Sequence, residues 1–298
     1  MFFYYPDTPE LPLPQGHRFP AGKYRMLRTL VEREGIIAAS ELTPSPPAAR
    51  VIVQHAHDPA YVDAVLTGTL DQNIQRRIGL PWSEVLVRRS LATVGGALAA
   101  ARMALDAGLS GQLAGGTHHA HRDFGSGYCV FNDLAVTALA LLAEGCVARI
   151  AILDLDVHQG DGNAAILAGR QDVLVVSMHG AKNFPFRKVA SSIDVALPDG
   201  TGDRAYIHAL ADVLPAIEAF RPDLLLYLSG ADPLASDKLG RLDLSFEGLL
   251  QRDEMVFEMC RRRAMPVSIA IGGGYADPIS DSVSAYANTF RAARAIIG

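Results

Sequence analysis

Five short runs of this chain are apolar without the period-two alternation of a half-exposed strand: Val51-Ile52-Val53, then 150–154, 173–177, 224–229 and 267–271. Such runs predict strands covered on both faces, as in a parallel sheet. Between them the apolar spacing changes to that of helices. One helix is predicted from Ser83, a good N-cap residue, to about Ala107, with Gly108 as its stop. Asn132 to Gly145 repeats that grammar, further helices are predicted over 203–219, 245–263 and 279–296, and Asp58-Pro59 reads as another helix start. Strands alternating with helices predict an α/β fold: a single domain over residues 1–298 with a mostly parallel central sheet flanked by helices on both faces. No Pro/Ser-rich linker or block of charge divides the chain.

Several predicted strands end in chemistry. Residues two apart on an extended chain point the same way, so Asp154, Asp156 and His158 project together past the end of the run at 150–154. The carboxyl ends of parallel strands are where α/β folds bind ligands, and an Asp-x-His pair offers an oxygen and an imidazole nitrogen to a divalent metal. The run at 224–229 leads into Gly230-Ala231-Asp232, and the run at 267–271 into Gly272-Gly273-Gly274-Tyr275. A fourth segment, Gly115-Gly116-Thr117-His118-His119-Ala120-His121, adds adjacent histidines after a glycine pair.

Each feature has an ordinary reading when taken alone. Asp232-Pro233 reads as a turn, and the triple glycine lacks any surrounding phosphate-binding pattern. His55 and His57 have metal-pair spacing, but the helix start behind them favours a structural role, while His179 is expected near the strand-end chemistry. Cys129 reads as a small buried hydrophobe beside it. Convergence on one sheet edge is what shifts the balance toward a site.

Composition narrows the setting. Hydrophobic residues make up 49% and charged residues 20%, enough for a large core and against disorder. The net charge of −5, with no cationic run longer than Arg261-Arg262-Arg263, argues against direct nucleic-acid binding. That triplet suits the last turn of a helix. Cys129, Cys146 and Cys260 are scattered and odd in number, which disfavours a secreted disulfide framework. No stretch reaches the ~18 apolar residues of a membrane span, and the first residues do not read as a signal peptide. The expectation is a cytoplasmic protein without membrane association; oligomeric state is not legible.

In their order and spacing, the His118-His119 segment, Ser126-Gly127-Tyr128-Cys129, the stretch from Asp154 to Asp161, Gly230-Ala231-Asp232 and Gly272 to Tyr275 resemble the zinc-dependent histone deacetylase family, from about His17 to the C-terminus. Within the family the chain is most similar to the class IV branch and to bacterial histone deacetylase-like amidohydrolases. Gln159 stands where most relatives have a second histidine. The resemblance implies an arginase/deacetylase-like fold and removal of acyl groups, acetyl or longer, from the ε-amine of lysine by metal-activated water. It implies Asp156, His158 and Asp232 as ligands of Zn²⁺, with Fe²⁺ an alternative, and a structural K⁺ near Asp154, the His158 backbone, Ser177 and Met178. His119 with Asp161 is then the general base and its orienting partner, His118 with Asp154 a second pair, and Tyr275 the donor to the oxyanion. Tyr128, Phe184 and Leu239 line the acyl-lysine channel, and Gly127 offers it a backbone carbonyl.

Three other readings compete. An acetylpolyamine or other small-amide hydrolase of the same family is one, although Leu239, seven positions after Asp232, is apolar where polyamine-selective relatives can carry an acid. An arginase-like two-manganese enzyme would need a further aspartate where the chain reads Gln159-Gly160-Asp161. A non-catalytic acyl-lysine binder would not need the full set of His/Asp pairs and Tyr275.

Overall fold

The buried runs lie side by side at the centre of one sheet. The computed structural model describes residues 1–298. Its strands in chain order are β1 (Phe3–Tyr5), β2 (Leu42–Pro44), β3 (Leu109–Gln112), β4 (Ile150–Asp154), β5 (Val173–Gly180), β6 (Ile193–Leu197), β7 (Leu224–Leu228) and β8 (Val267–Ala270). Across the sheet the order is β2-β1-β3-β8-β7-β4-β5-β6, with every pairing parallel. The sheet is therefore wholly rather than mostly parallel. The helices are α1 (Lys23–Arg33), α2 (Arg50–Val53), α3 (Pro59–Thr67), α4 (Gln72–Ile78), α5 (Glu84–Ala107), α6 (Asp133–Ala143), α7 (Asp161–Ile166), α8 (Asp203–Phe220), α9 (Phe246–Arg263) and α10 (Ile279–Ile296).

Strand parity builds two cores. Ala151 and Leu153 of β4 pack into one with Leu210 of α8, Val256 of α9 and Phe290 of α10, while Ile150 and Ile152 pack into the other with Leu98 of α5 and Leu141 of α6. Each fully buried side chain of this size contributes ~1.5–3 kcal/mol, so a one-residue slip of β4 would forfeit both faces. The predicted helix ends hold: Ser83 Oγ accepts the Leu86 N–H at 3.1 Å, Gly108 closes α5 at φ 82°, and Asn132 Oδ1 accepts the Ala135 N–H at 2.9 Å.

Val51-Ile52-Val53 is a correction: it lies in α2, not in a strand. Three apolar residues carry no period, and Val51, at 65% exposure, has none of the cover that a central strand requires. Strands β1, β2, β3 and β6 escaped sequence reasoning because they are short or polar. The one-sided pattern of β6 reflects its position at the sheet's edge. Ser110 and Gln112 of β3 are buried although polar: the Ser110 hydroxyl donates to the Phe2 carbonyl at 2.6 Å and the Gln112 Nε2 to Asp133 at 3.1 Å.

His57 is structural, as expected. Its Nε2 accepts the Asn132 N–H at 2.8 Å, and Asn132 in turn donates to the Ala120 carbonyl at 3.1 Å, tying α6 to the histidine segment. Only the neutral ring can accept that bond, and burial pushes the imidazole down to about 4. A folded-state value below the ordinary ~6.5 means that the stabilisation is complete above ~6.5 and is lost as pH falls toward 4; the span corresponds to about 3 kcal/mol. Urea melts are expected to show stability falling across that window, with a shallower slope in His57→Gln. Equal slopes would remove His57 as the cause.

Candidate active site

Strands β8, β7 and β4 are neighbours, so the segments that follow them meet. Asp156, His158 and Asp232 bring one donor atom each to within 4.8 Å of one another. Nδ1 of His158 lies 3.0 Å from Asp156 Oδ1 and 3.1 Å from Asp232 Oδ2. Both carboxylates are fully buried. The main chain aims them: Asp156 Oδ2 accepts the Gly273 N–H at 2.7 Å, and Asp232 Oδ1 accepts the Val157 N–H at 2.8 Å. Gly273 has to be glycine, because a Cβ there would run into both carboxylates.

One ring nitrogen facing two carboxylate oxygens is poorly served by a single proton. Burial and the charge of Asp156 push the Asp232 carboxyl up to about 7, the mark of crowded negative charge. Two oxygens and one imidazole nitrogen fit a divalent cation, which would relieve that crowding, and match the donor set of a hydrolytic zinc centre.

Two imidazoles flank this cage. His118 Nδ1 lies 2.7 Å from Asp154 Oδ2, His119 Nδ1 lies 2.7 Å from Asp161 Oδ1, and the two rings are 4.1 Å apart. Burial disfavours charge on both, but the outcome differs. Asp154 and Asp156 outweigh burial and hold His118 up at about 9, whereas burial and the neighbouring His118 charge push His119 down to about 4. The pair thus divides into one cationic and one neutral ring. Asp161 also binds His121 Nε2 at 3.0 Å, and these two imidazole contacts outweigh burial to hold its carboxyl below the usual range.

The remaining predicted residues, Tyr275, Gly127, Tyr128, Phe184 and Leu239, line one cavity of about 870 Å³ together with Asp156 and His158. The Phe184 ring stands 4.8 Å from His119, and the Tyr128 ring 6.0 Å from Tyr275. Tyr128 occupies the left-handed region at φ 66°, next to Gly127 at φ 54°. Asp154 and Asp232 lie behind the cavity wall, fully buried. Cys129 is buried in the cavity wall, and burial pushes its thiol well above the ordinary value, which disfavours the thiolate. Gln159 points away from the cage: Nε2 donates to the Val189 carbonyl and Asp194, each at 2.7 Å, while Oε1 accepts the Val189 N–H at 3.0 Å.

Residues 17–290 match the histone deacetylase domain. The chain belongs to the histone deacetylase family. It is 32% identical to a histone deacetylase-like amidohydrolase of Pseudomonas aeruginosa, over 89% of this chain and 74% of that protein. An uncharacterized protein of Picosynechococcus is 42% identical over 98% of this chain and 97% of its own length. Histone deacetylase 2 of Arabidopsis thaliana is 33% identical over 64% of this chain and 51% of the plant protein. Among solved structures, an acetylpolyamine aminohydrolase from Burkholderia pseudomallei superposes with a TM-score of 0.77 over the whole of both chains at 21% identity, which establishes the shared fold. Family membership makes this protein an amide hydrolase of a generally zinc-dependent group.

Several residues that support this deacetylase-family site carry no local sequence signal of that role. Lys23, 2% exposed at the start of α1, donates to the carbonyls of Gly272 and Gly274 at 3.3 Å each, with its ammonium 5.3 Å from the centre of the Tyr275 ring. Asp237 Oδ2 accepts the Tyr275 N–H at 2.6 Å, and its Oδ1 accepts the Leu239 N–H at 2.8 Å. Asp133 accepts the N–H groups of Gly116 and Thr117 at 2.9 and 2.8 Å, fixing the approach to His118. Buried Arg252 donates to the Gly230 carbonyl at 2.7 Å and to Asp253, which also binds the Tyr227 hydroxyl, steadying the strand end before Asp232.

Lys23 grips the loop that carries Tyr275 rather than any substrate. Lys23→Met is therefore expected to lower kcat about ten- to a hundredfold, the cost of a small misplacement, with KM nearly unchanged and partial recovery in Lys23→Arg. Steady-state kinetics on folded protein checks this. A rise in KM at constant kcat would assign Lys23 to substrate binding instead.

Proposed function

We propose that residues 1–298 form a single zinc-dependent catalytic domain that removes acetyl or longer acyl groups from the ε-amine of lysine in peptides or proteins. The observation that carries the reading is the Asp156/His158/Asp232 cage facing His119 and Tyr275 across one cavity. Bound there, Zn²⁺ supplies Lewis-acid polarisation of the amide carbonyl and lowers the pKa of water; Fe²⁺ suits the same donors.

The chain's own residues do the rest. Asp161 holds the proton of His119 on Nδ1, leaving Nε2 free to accept the proton of the attacking water and return it to the leaving amine. His118, held by Asp154 at 2.7 Å, contributes charge and hydrogen bonding beside the developing negative charge. The Tyr275 hydroxyl, kept protonated by burial, donates to the developing oxyanion. Tyr128 and Phe184 confine the alkyl chain of the lysine, Leu239 borders its entry, and the Gly127 carbonyl accepts the substrate N–H. A K⁺ near Asp154, the His158 backbone, Ser177 and Met178 belongs to the same proposal, as does a cytoplasmic setting suited to three unpaired cysteines.

One cage of three donors, with Gln159 turned toward the β5–β6 loop, favours a single catalytic metal over an arginase-like pair. The solved structure of similar fold is that of an acetylpolyamine aminohydrolase, which keeps small acylated amines as the second reading. Mass spectrometry of one lysine peptide bearing acyl chains of graded length, alongside acetylated diamines and a chelator control, tests both. Chelator-sensitive release from the peptide supports the lysine reading, and release from the diamines alone replaces it.

A further inference from the structure

The cavity mouth is cationic on an acidic protein. Arg77, Lys182, Arg187 and Arg241 are exposed and line the cavity, whereas its only lining carboxylates, Asp156 and Asp161, lie at the buried end. Outside the lining, Asp199 pairs with both Lys182 at 3.6 Å and Arg241 at 3.2 Å, so one carboxylate serves two of the four cations. Arg77 and Arg187 make no ion pair; Arg77 lies with its guanidinium 3.8 Å from the centre of the Phe124 ring. Phe186, 86% exposed, lines the same cavity and lies between Lys182 and Arg187 along the chain.

The loop that carries most of this charge is held in place. Residues 181–192 contain Lys182, Arg187 and Lys188 and no acid. The Lys188 ammonium donates to the carbonyls of Asn183 and Pro185 at 2.5 and 2.8 Å, bracing the turn that presents Phe184 and Phe186. Gln159, beside the metal-ligand candidate His158, fastens the far end of the loop through Val189 and Asp194. The cationic rim is thus tied to the same segment that builds the cage.

Resting on the lysine-deacylase reading, we propose that the rim selects acyl-lysines set in acidic sequence, the flanking Asp and Glu side chains meeting Arg77, Arg187 and their neighbours while Phe186 covers the peptide's apolar stems. Opposite charges across a rim act chiefly on encounter and are screened by salt. Polyamines and basic tails present the wrong sign to this mouth.

The test uses three acyl-lysine peptides of equal length with acidic, neutral or basic flanks, and zinc-loaded full-length protein. At low salt kcat/KM is expected to be about five- to tenfold higher for the acidic than for the basic peptide, with the ratio collapsing toward one near 0.5 M salt. In R77E/R187E the ratio is expected to fall to one or reverse. A ratio taken within one protein is insensitive to partial loss of folded material. Equal rates at low salt, or a preference that the double variant leaves unmoved, would overturn the rim proposal while leaving the deacylase reading intact. No turnover of any peptide would overturn both.

Discussion

Asp232→Asn is expected to cut kcat/KM by at least about a thousandfold, the several kcal/mol that a catalytic metal contributes, and to reduce bound zinc well below one per chain. Asp232 gives one oxygen to the Val157 N–H at 2.8 Å and directs the other to His158. An asparagine keeps the first bond and replaces the second oxygen with a neutral amide, leaving Asp156 and His158 as a two-donor site. The fold is not expected to suffer. Asp156 and Asp232 crowd each other in a buried place, so removing one charge relieves repulsion in the metal-free protein and offsets the weakened contact with His158. The discriminating measurement is the melting temperature with and without zinc. Wild type gains stability on loading because the ion binds only the folded state, and Asp232→Asn gains little. If the variant binds zinc with unchanged stoichiometry and thermal shift, the cage is not where the metal sits.

The cage was legible because its parts are written close together or directly after buried runs. Asp154, Asp156 and His158 lie within five residues at the end of β4, and a period-two reading places them on one edge. Asp232 was legible only through the family resemblance, because Asp-Pro after a strand is also an ordinary turn. What the sequence hid are charges that act on main-chain groups far away. Lys23 meets Gly272 across 249 positions, and a lone lysine opening a helix looks like any solvated one. Asp237 gives no local sign that it holds the Tyr275 N–H, 38 positions away. Gln159 was legible as a departure from the family pattern, yet its partners, Val189 and Asp194, are brought to it only by the β5–β6 pairing. The misread run at 51–53 has the same root: local apolarity does not reveal whether a neighbouring layer covers it.

Tyr275→Phe tests the opposite wall of the cavity and is expected to lower kcat about a hundred- to a thousandfold, the usual cost of one oxyanion donor, with KM changed far less. The substitution removes one oxygen and nothing that holds the loop. The Tyr275 N–H still reaches Asp237, Lys23 still grips Gly272 and Gly274, and the ring still stands near Tyr128. A donor used only as charge develops on the carbonyl oxygen acts in the transition state and not in substrate binding, which is why kcat carries the loss. Burial raises the Tyr275 hydroxyl well above its ordinary value, so it stays a donor across the working pH range, and the variant's pH profile should keep the wild-type shape at a lower level. Zinc content and its stabilisation of the fold should also match wild type, separating this variant from Asp232→Asn. A loss in KM alone, or none at all, would place the oxyanion elsewhere and leave His118 as the remaining charge near it.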